Sequence, residues 1–318
     1  MVWLPFICLG IGLCIGFRNL PVSVIKATDI IITITLVVLM LTIGANIGVN
    51  NSVMSNLGSI GINCAVIAIS AIIFSVIATV IVEKTVLPLE EVSRKLFSDK
   101  LNINSEVNIA EEEEKKTSPL IWIMPVSIVV GVIFGYFAIP QSMVFILSYS
   151  LRASLIVLYI GVGMSLGANR KVFRYIKLLG WKIVFLSVAI FVGSIVGGFL
   201  AGMVMGVPLR ISVMSAGGMS YYSITGAYMT QAYGIEGGTY GFIVNVMREF
   251  FTVLLLPLLI KISKGSPIAG GAAGNMDTML VPVTKFVGPE LGLVTLITGT
   301  ILTFAVPFIL PFLYHIFA

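Results

Sequence analysis

The chain has 318 residues, 58% of them hydrophobic and only 10% charged, with a mean hydropathy of +1.09. So little polar surface cannot cover a water-soluble globule of this size, and lipid must be the main solvent. The net charge of +5 would suit nucleic acid, but the basic residues cluster in short loops between apolar runs, as topology determinants do, and nucleic acid is not expected as a partner.

Apolar runs long enough for a hydrocarbon core of about 30 Å occupy residues 2–17, 28–49, 58–82, 119–138, 146–168, 181–204, 238–260 and 290–315. The sequence therefore predicts an all-α polytopic membrane protein of about eight spans. The first run lacks a basic leading segment and a small-residue cleavage site, so a retained helix is expected there. Arg170, Lys171, Arg174, Lys177 and Lys182 crowd the loop between the fifth and sixth spans, which the positive-inside rule places in the cytoplasm. Alternation then puts both termini outside. In the loop 83–118, Leu89, Val92 and Leu96 at helical spacing precede Glu111–Glu114, a pattern expected of an interfacial helix and a solvated linker. Cys8, Cys14 and Cys64 lie inside apolar runs without ligand spacing, so neither a disulfide framework nor a metal site is expected.

The chain also resembles itself. Leu20–Ser23 (LPVS) matches Ile139–Ser142 (IPQS), and Leu36, Val38, Leu39, Gly44, Gly48 and Asn50 recur 119 positions on as Leu155, Val157, Leu158, Gly163, Gly167 and Asn169. A repeat of three spans is odd, so the second copy is expected upside down relative to the first, as in many secondary transporters. A second match aligns Gly234, Glu236, Gly238 and Pro257 with Gly288, Glu290, Gly292 and Pro311. Each of these later units opens on a Gly-rich interrupted stretch, from Pro208 and from Ser266. Half-helices of about ten residues reach roughly 15 Å, mid-bilayer, so both stretches are expected to be re-entrant hairpins with tips at a binding site. A pair of kinked full crossings is the alternative. The expected organisation is two three-helix scaffold repeats, 1–82 and 119–206, a linker at 83–118, and a transport core at 207–318.

Candidate site residues gather in that core. Asn245, Arg248, Glu249 and Thr252 lie along one side of a helix at the centre of a span, where ionisable groups are costly and mark function by default. Arg248 could instead form a structural pair with Asp277. At the second tip Asn275 and Asp277 precede Thr278, with Asp277 a candidate cap for a half-helix starting there. The first tip offers Ser220 as a cap, Tyr221 and Tyr222 as stackers or donors, and Ser223. Asn46, Asn50 and Asn51 at the end of the second span are readable as caps. No catalytic constellation or cofactor motif occurs, so an intramembrane enzyme is the least favoured class and no cofactor is expected.

The run GGMSYYSITG at Gly217–Gly226, NVMRE at Asn245–Glu249 and GAAGNMD at Gly271–Asp277 together resemble the lysine exporter LysO family of bacteria and archaea. The resemblance covers nearly the whole chain. It implies eight spans with both ends outside, residence in the cytoplasmic membrane, and export of L-lysine and lysine-like analogues. It also marks Arg248, Glu249, Asp277, Tyr222 and Ser223 as characteristic. Members often carry a carboxylate near the outer end of the second span, where this chain has Asn51. The chemistry suits a cationic amino acid: Glu249 and Asp277 could meet its ammonium groups, and the half-helix after Ser220, or Arg248, its carboxylate. A carboxylate away from water can hold either a proton or a substrate cation, the simplest basis for proton antiport. Sodium as the coupling ion, another amino acid or organic ion as substrate, and a homodimer remain open on this reading.

Overall fold

The computed structural model describes residues 4–18, 21–90, 126–140, 144–168, 181–288 and 291–317. All regular elements among them are helical. The first part of the chain forms α1 (Leu4–Gly16), α2 (Val22–Val49), the short α3 (Asn51–Ser55), α4 (Leu57–Thr85), α5 (Val126–Ala138), α6 (Val144–Ala168) and α7 (Lys182–Met205). The second part forms α8 (Leu209–Gly217), α9 (Tyr222–Ile262), α10 (Gly265–Gly271), a 3-10 turn (Ala272–Met276), α11 (Leu280–Val287) and α12 (Gly292–Phe317). Six of the described helices, α2, α4, α6, α7, α9 and α12, are long and apolar enough to cross a membrane, and α1 and α5 are shorter apolar helices. The chain is an all-helical, multi-pass membrane protein. Val92, Leu96, Glu111–Glu114 and the basic cluster Arg170–Lys177 lie outside the described residues.

On α4 the exposed residues Ile62, Ile69, Ile73, Ile77 and Ile81 form a stripe at spacings of seven and four. The opposite face, with Cys64, Ala68, Ala71, Ser75 and Thr79, is buried. Bulky apolar groups outside and small or polar groups inside is the distribution expected when the solvent is lipid and close helix packing must come from small residues.

Small residues set the packing of the first part. A Cβ at Gly12 would collide with the Ile160 carbonyl and one at Gly16 with that of Met164, while Gly163 and Gly167 meet the carbonyls of Leu9 and Leu13 in return, so α1 and α6 touch backbone to backbone. The same contacts join α2 and α5: Gly131 against Leu41, Gly135 against Ala45, Gly44 against Ile128 and Gly48 against Val132. Each member of the second set lies 119 positions from its counterpart in the first. Helices α4 and α7 pack across from each other, with Gly193 on the Phe74 carbonyl and Ser70 Oγ donating to Gly197 O at 2.9 Å.

In the second part the Gly-rich stretches interrupt the helices. Residues 208–233 are not one helix: α8 ends at Gly217 and α9 starts at Tyr222, with Met219 (φ 49°) and Ser220 (φ 76°) left-handed between them. Helix α9 then breaks at Gly234 (φ 78°, ψ −175°), so residues 222–233 return alongside α8 and the long arm follows. The second unit repeats this plan. Helix α10 stops at Gly271, Ala272 takes φ 50°, and α11 returns to Gly288 (φ 99°) before α12. Gly234 and Gly288, aligned by self-comparison, thus occupy the same break between hairpin and long helix. A β-carbon is strongly disfavoured in such conformations, which is why glycine stands at both places.

One expectation on the linker is corrected. Leu89 is not on an interfacial surface but fully buried with Leu87 in a cluster that includes Ile183, Leu256, Ile268 and Val283. A leucine among core side chains of four neighbouring helices removes more apolar surface from water than one resting on headgroups.

Candidate functional site

The two hairpin tips meet. Ala273 N–H of the second donates to Met219 O of the first at 2.9 Å, joining irregular backbone from two elements whose amides have few helical partners. Left-handed residues occur at both tips, and such strain persists only where the surroundings over-determine it.

The long arm of α9 carries the polar stripe that holds the tips. Asn245, fully buried, donates through Nδ2 to Ser215 O at 2.9 Å and Gly241 O at 2.7 Å, and accepts from Ser220 N–H at 2.7 Å. It therefore satisfies an end carbonyl of α8 and the first tip's strained amide at once. Arg248 is 1% exposed and serves the second hairpin. Its Nε donates to Gly270 O at 3.2 Å and Nη2 to Ala269 O at 3.0 Å, while Nη1 and Nη2 donate to Ser194 Oγ (2.7 Å) and Ser75 Oγ (3.2 Å). None of these partners is a carboxylate, so the alternative of a structural pair with Asp277 is not what forms; Arg248 acts as a cap. A guanidinium at the C-terminal end of α10 complements exposed carbonyls and the helix dipole together. At the other end of α10, Glu83 Oε2 accepts from Gly265 N–H at 3.1 Å.

One residue further along the stripe, Glu249 is half-buried and accepts from Thr278 Oγ1 at 3.0 Å. Asp277, one residue before Thr278, is exposed. Thr278 links it to Glu249, donating its backbone N–H to Asp277 and its Oγ1 hydroxyl to Glu249, while Tyr221 and Tyr222 are half-buried at the start of α9. Tyr222 also packs edge-on against Phe242, centroids 5.6 Å apart.

The predicted set therefore divides. Glu249, Asp277, Thr278, Tyr221 and Tyr222 share an accessible face, whereas Asn245, Arg248, Asn275, Ser220 and Ser223 are buried behind it. Asn275 Nδ2 donates to Ile268 O at 2.7 Å, a second cap on α10. Two capping assignments are corrected. The residue before α9 is Tyr221, and Ser220 Oγ is buried without a hydrogen-bond partner, because the left-handed turn at Ser220 places it ahead of the cap position. Asp277 does not cap a helix starting at Thr278; it receives Thr278 N–H at 2.6 Å within the tip, and α11 starts only at Leu280 because the 3-10 turn uses up the intervening backbone. Asn46 is buried on α2, donating to Thr42 O of its own helix at 3.0 Å. Asn50, not Asn51, caps α3, accepting from Val53 N–H at 3.1 Å. Asn51 is exposed and lines a separate cleft of about 440 Å³ with Gly48, Val49, Tyr136 and Pro140. Ser75, Ser194, Glu83 and Thr303, whose Oγ1 donates to Ala273 O at 3.0 Å, were not singled out by sequence. For Ser75 and Ser194 a signal existed: they are 119 positions apart.

Two broken helical hairpins meeting tip to tip beside a pair of carboxylates, in a multi-pass helical membrane protein, define a transporter-like architecture. The sequence model of the family described as "Lysine exporter LysO" matches residues 126–314. The chain belongs to that family. Lysine exporter LysO of Escherichia coli (strain K12) is 28% identical over 185 residues, 57% of this chain and 62% of that protein. A "Putative lysine exporter" of Haemophilus influenzae (strain ATCC 51907 / DSM 11121 / KW20 / Rd) is 24% identical over 119 residues, 37% of this chain and 61% of that protein. The matches span about three fifths of each relative's length. No solved structure matches.

Proposed function

We propose that this protein is a secondary transporter that exports L-lysine and lysine-like analogues across the cytoplasmic membrane, by proton antiport with alternating access. The observation that carries the reading is the pair Glu249 and Asp277, both hydrogen-bonded to Thr278 beside the point where the two tips meet. The named function of both relatives supports it.

The substrate brings two ammonium groups and one carboxylate. Glu249 and Asp277 take the ammonium end, and Tyr221 and Tyr222 wall the aliphatic stem. The carboxylate goes to the start of α9, the positive end of that helix. Arg248 is not needed for it, since four of its five N–H donors are already engaged. Glu249 holds either a proton or the substrate ammonium, and this exclusion couples outward lysine to inward protons. The scaffold is a 3+3 inverted repeat of eight spans with both termini outside. The paired glycine contacts 119 residues apart support it, because they place α1 on α6 as α5 sits on α2.

The test is counterflow of labelled lysine in proteoliposomes. Arginine and ornithine should compete and neutral amino acids should not, and a proton gradient should accelerate net lysine movement. Absence of lysine exchange, with exchange of another organic cation, would give the scaffold a different substrate. For orientation, a cysteine introduced at Glu111 should react with an impermeant reagent only from the cytoplasmic side, and labelling in intact cells would reverse the topology.

A further inference from the structure

We infer that Arg248 is a positioning residue for transport, anchored where the two scaffold repeats cross, and not a ligand of the substrate. The inference rests on the transport reading above. A guanidinium has five N–H donors and recognises a carboxylate best through two of them side by side. Here four hydrogen bonds already go to neutral oxygens, those of Ser75, Ser194, Ala269 and Gly270, and the residue is 1% exposed. No two-pronged face remains for a carboxylate.

The acceptors come from two bodies. Ala269 and Gly270 are the end carbonyls of α10. Ser75 on α4 and Ser194 on α7 are 119 positions apart, the spacing of the glycine contacts, and their hydroxyls touch at 2.9 Å. Both also donate to the Ile190 carbonyl, at 3.0 and 2.8 Å, which leaves their lone pairs turned to the guanidinium. Equivalent residues of two related copies meet only on the axis relating them, so Arg248 is bound at the crossing of α4 and α7. Points on such an axis move least when one repeat rocks against the other, so the clamp persists through a transport cycle. From this fixed point the geometry runs outward: Arg248 sets α10, α10 sets the second tip through Asn275, and the tip presents Thr278 to Glu249 and Ala273 to Met219.

Arg248→Lys is the first test, because one ammonium cannot span acceptors on two helices and a hairpin. Lysine counterflow should slow about tenfold or more, the scale of loss when reacting groups are misplaced by a fraction of an ångström to an ångström. The preference for lysine over lysinamide, which lacks the carboxylate, should not change. A collapse of that preference would make Arg248 a substrate ligand, and an unchanged rate in folded protein would make it merely structural; either overturns the proposal. Should Arg248→Lys fail to fold, Ser75→Ala and Ser194→Ala each remove one acceptor and should slow exchange with the preference kept; unchanged rates in both overturn it. A readout independent of transport is disulfide formation between Met219→Cys and Ala273→Cys in a background lacking the native cysteines. It should be slower in all three variants, and an undiminished rate overturns the positioning role. If the unaltered protein moves no lysine, the functional reading fails while this cross-link still tests Arg248.

Discussion

Glu249→Gln should reduce coupled lysine exchange by at least about 30-fold while the protein stays folded. Removing one partner of a desolvated charge pair costs about 2–5 kcal/mol, or roughly 30-fold to several thousandfold. The amide keeps the shape of the side chain, and its oxygen can still accept from Thr278 Oγ1, now 3.0 Å from Oε1. What is lost is the charge that meets an ammonium and the group that carries the proton. Residual exchange should therefore no longer respond to pH, whereas exchange by the unaltered protein should. Thermal stability should hold, because Glu249 has no cation to orphan: Arg248, its sequence neighbour, is engaged by serines and carbonyls on another face. Folded Glu249→Gln that exchanges lysine with unchanged pH dependence would remove Glu249 from the site and leave Asp277 as the proton carrier.

The separation of Glu249 from Arg248 was not readable in the sequence, although the stripe was. Spacing puts Asn245, Arg248, Glu249 and Thr252 on one side of a helix, but neighbours on such a stripe diverge by about 100°, enough to send one to the axis of the scaffold and the next to the open face. The spans were legible because length and apolarity are local properties. The hairpins were legible because glycine runs interrupt them, and even the breaks at Gly234 and Gly288 left a trace in self-comparison. Helix ends were less so. Helix α2 begins at Val22, earlier than expected, with Thr28 Oγ1 donating back to Val24 O so that its polar start is absorbed into the helix. Caps supplied from elsewhere in the fold were invisible. Glu83 at the start of α10, and Ser75 and Ser194 beneath Arg248, are unremarkable in their own segments and gain meaning only through contacts 54 to 182 residues away in sequence. The same blindness misassigned Ser220 and Asp277 as caps: each has the right chemistry at about the right place, but the tip backbone turns left-handed or into a 3-10 turn first.

Asn245→Leu should clearly destabilise the protein. Leucine is close in volume, so the packing loss is small and the cost is polar. Three hydrogen bonds disappear, and one of the groups has no local substitute: Ser220 N–H, in a left-handed turn, is left buried without an acceptor, whereas Ser215 O, at the end of α8, keeps the Gly218 N–H at 3.2 Å. An unsatisfied buried group costs about 1–3 kcal/mol, a substantial share of the marginal stability of a typical fold. The third partner, Gly241 O, lies four residues back in the same helix and keeps its helical bond, so it adds little. The damage should be local first, because Asn245 holds only the first tip, whereas Arg248, Asn275 and Thr303 hold the second. Limited proteolysis in detergent should then show cleavage near residues 218–221 before the rest of the chain becomes accessible, together with a lowered melting temperature and loss of exchange. Asn245→Asp separates shape from donors: it retains the acceptor for Ser220 N–H but turns a carboxylate oxygen toward the Ser215 and Gly241 carbonyls, so it should destabilise at least as much at neutral pH. If both variants melt within a degree of the unaltered protein, the first tip is held by something other than Asn245.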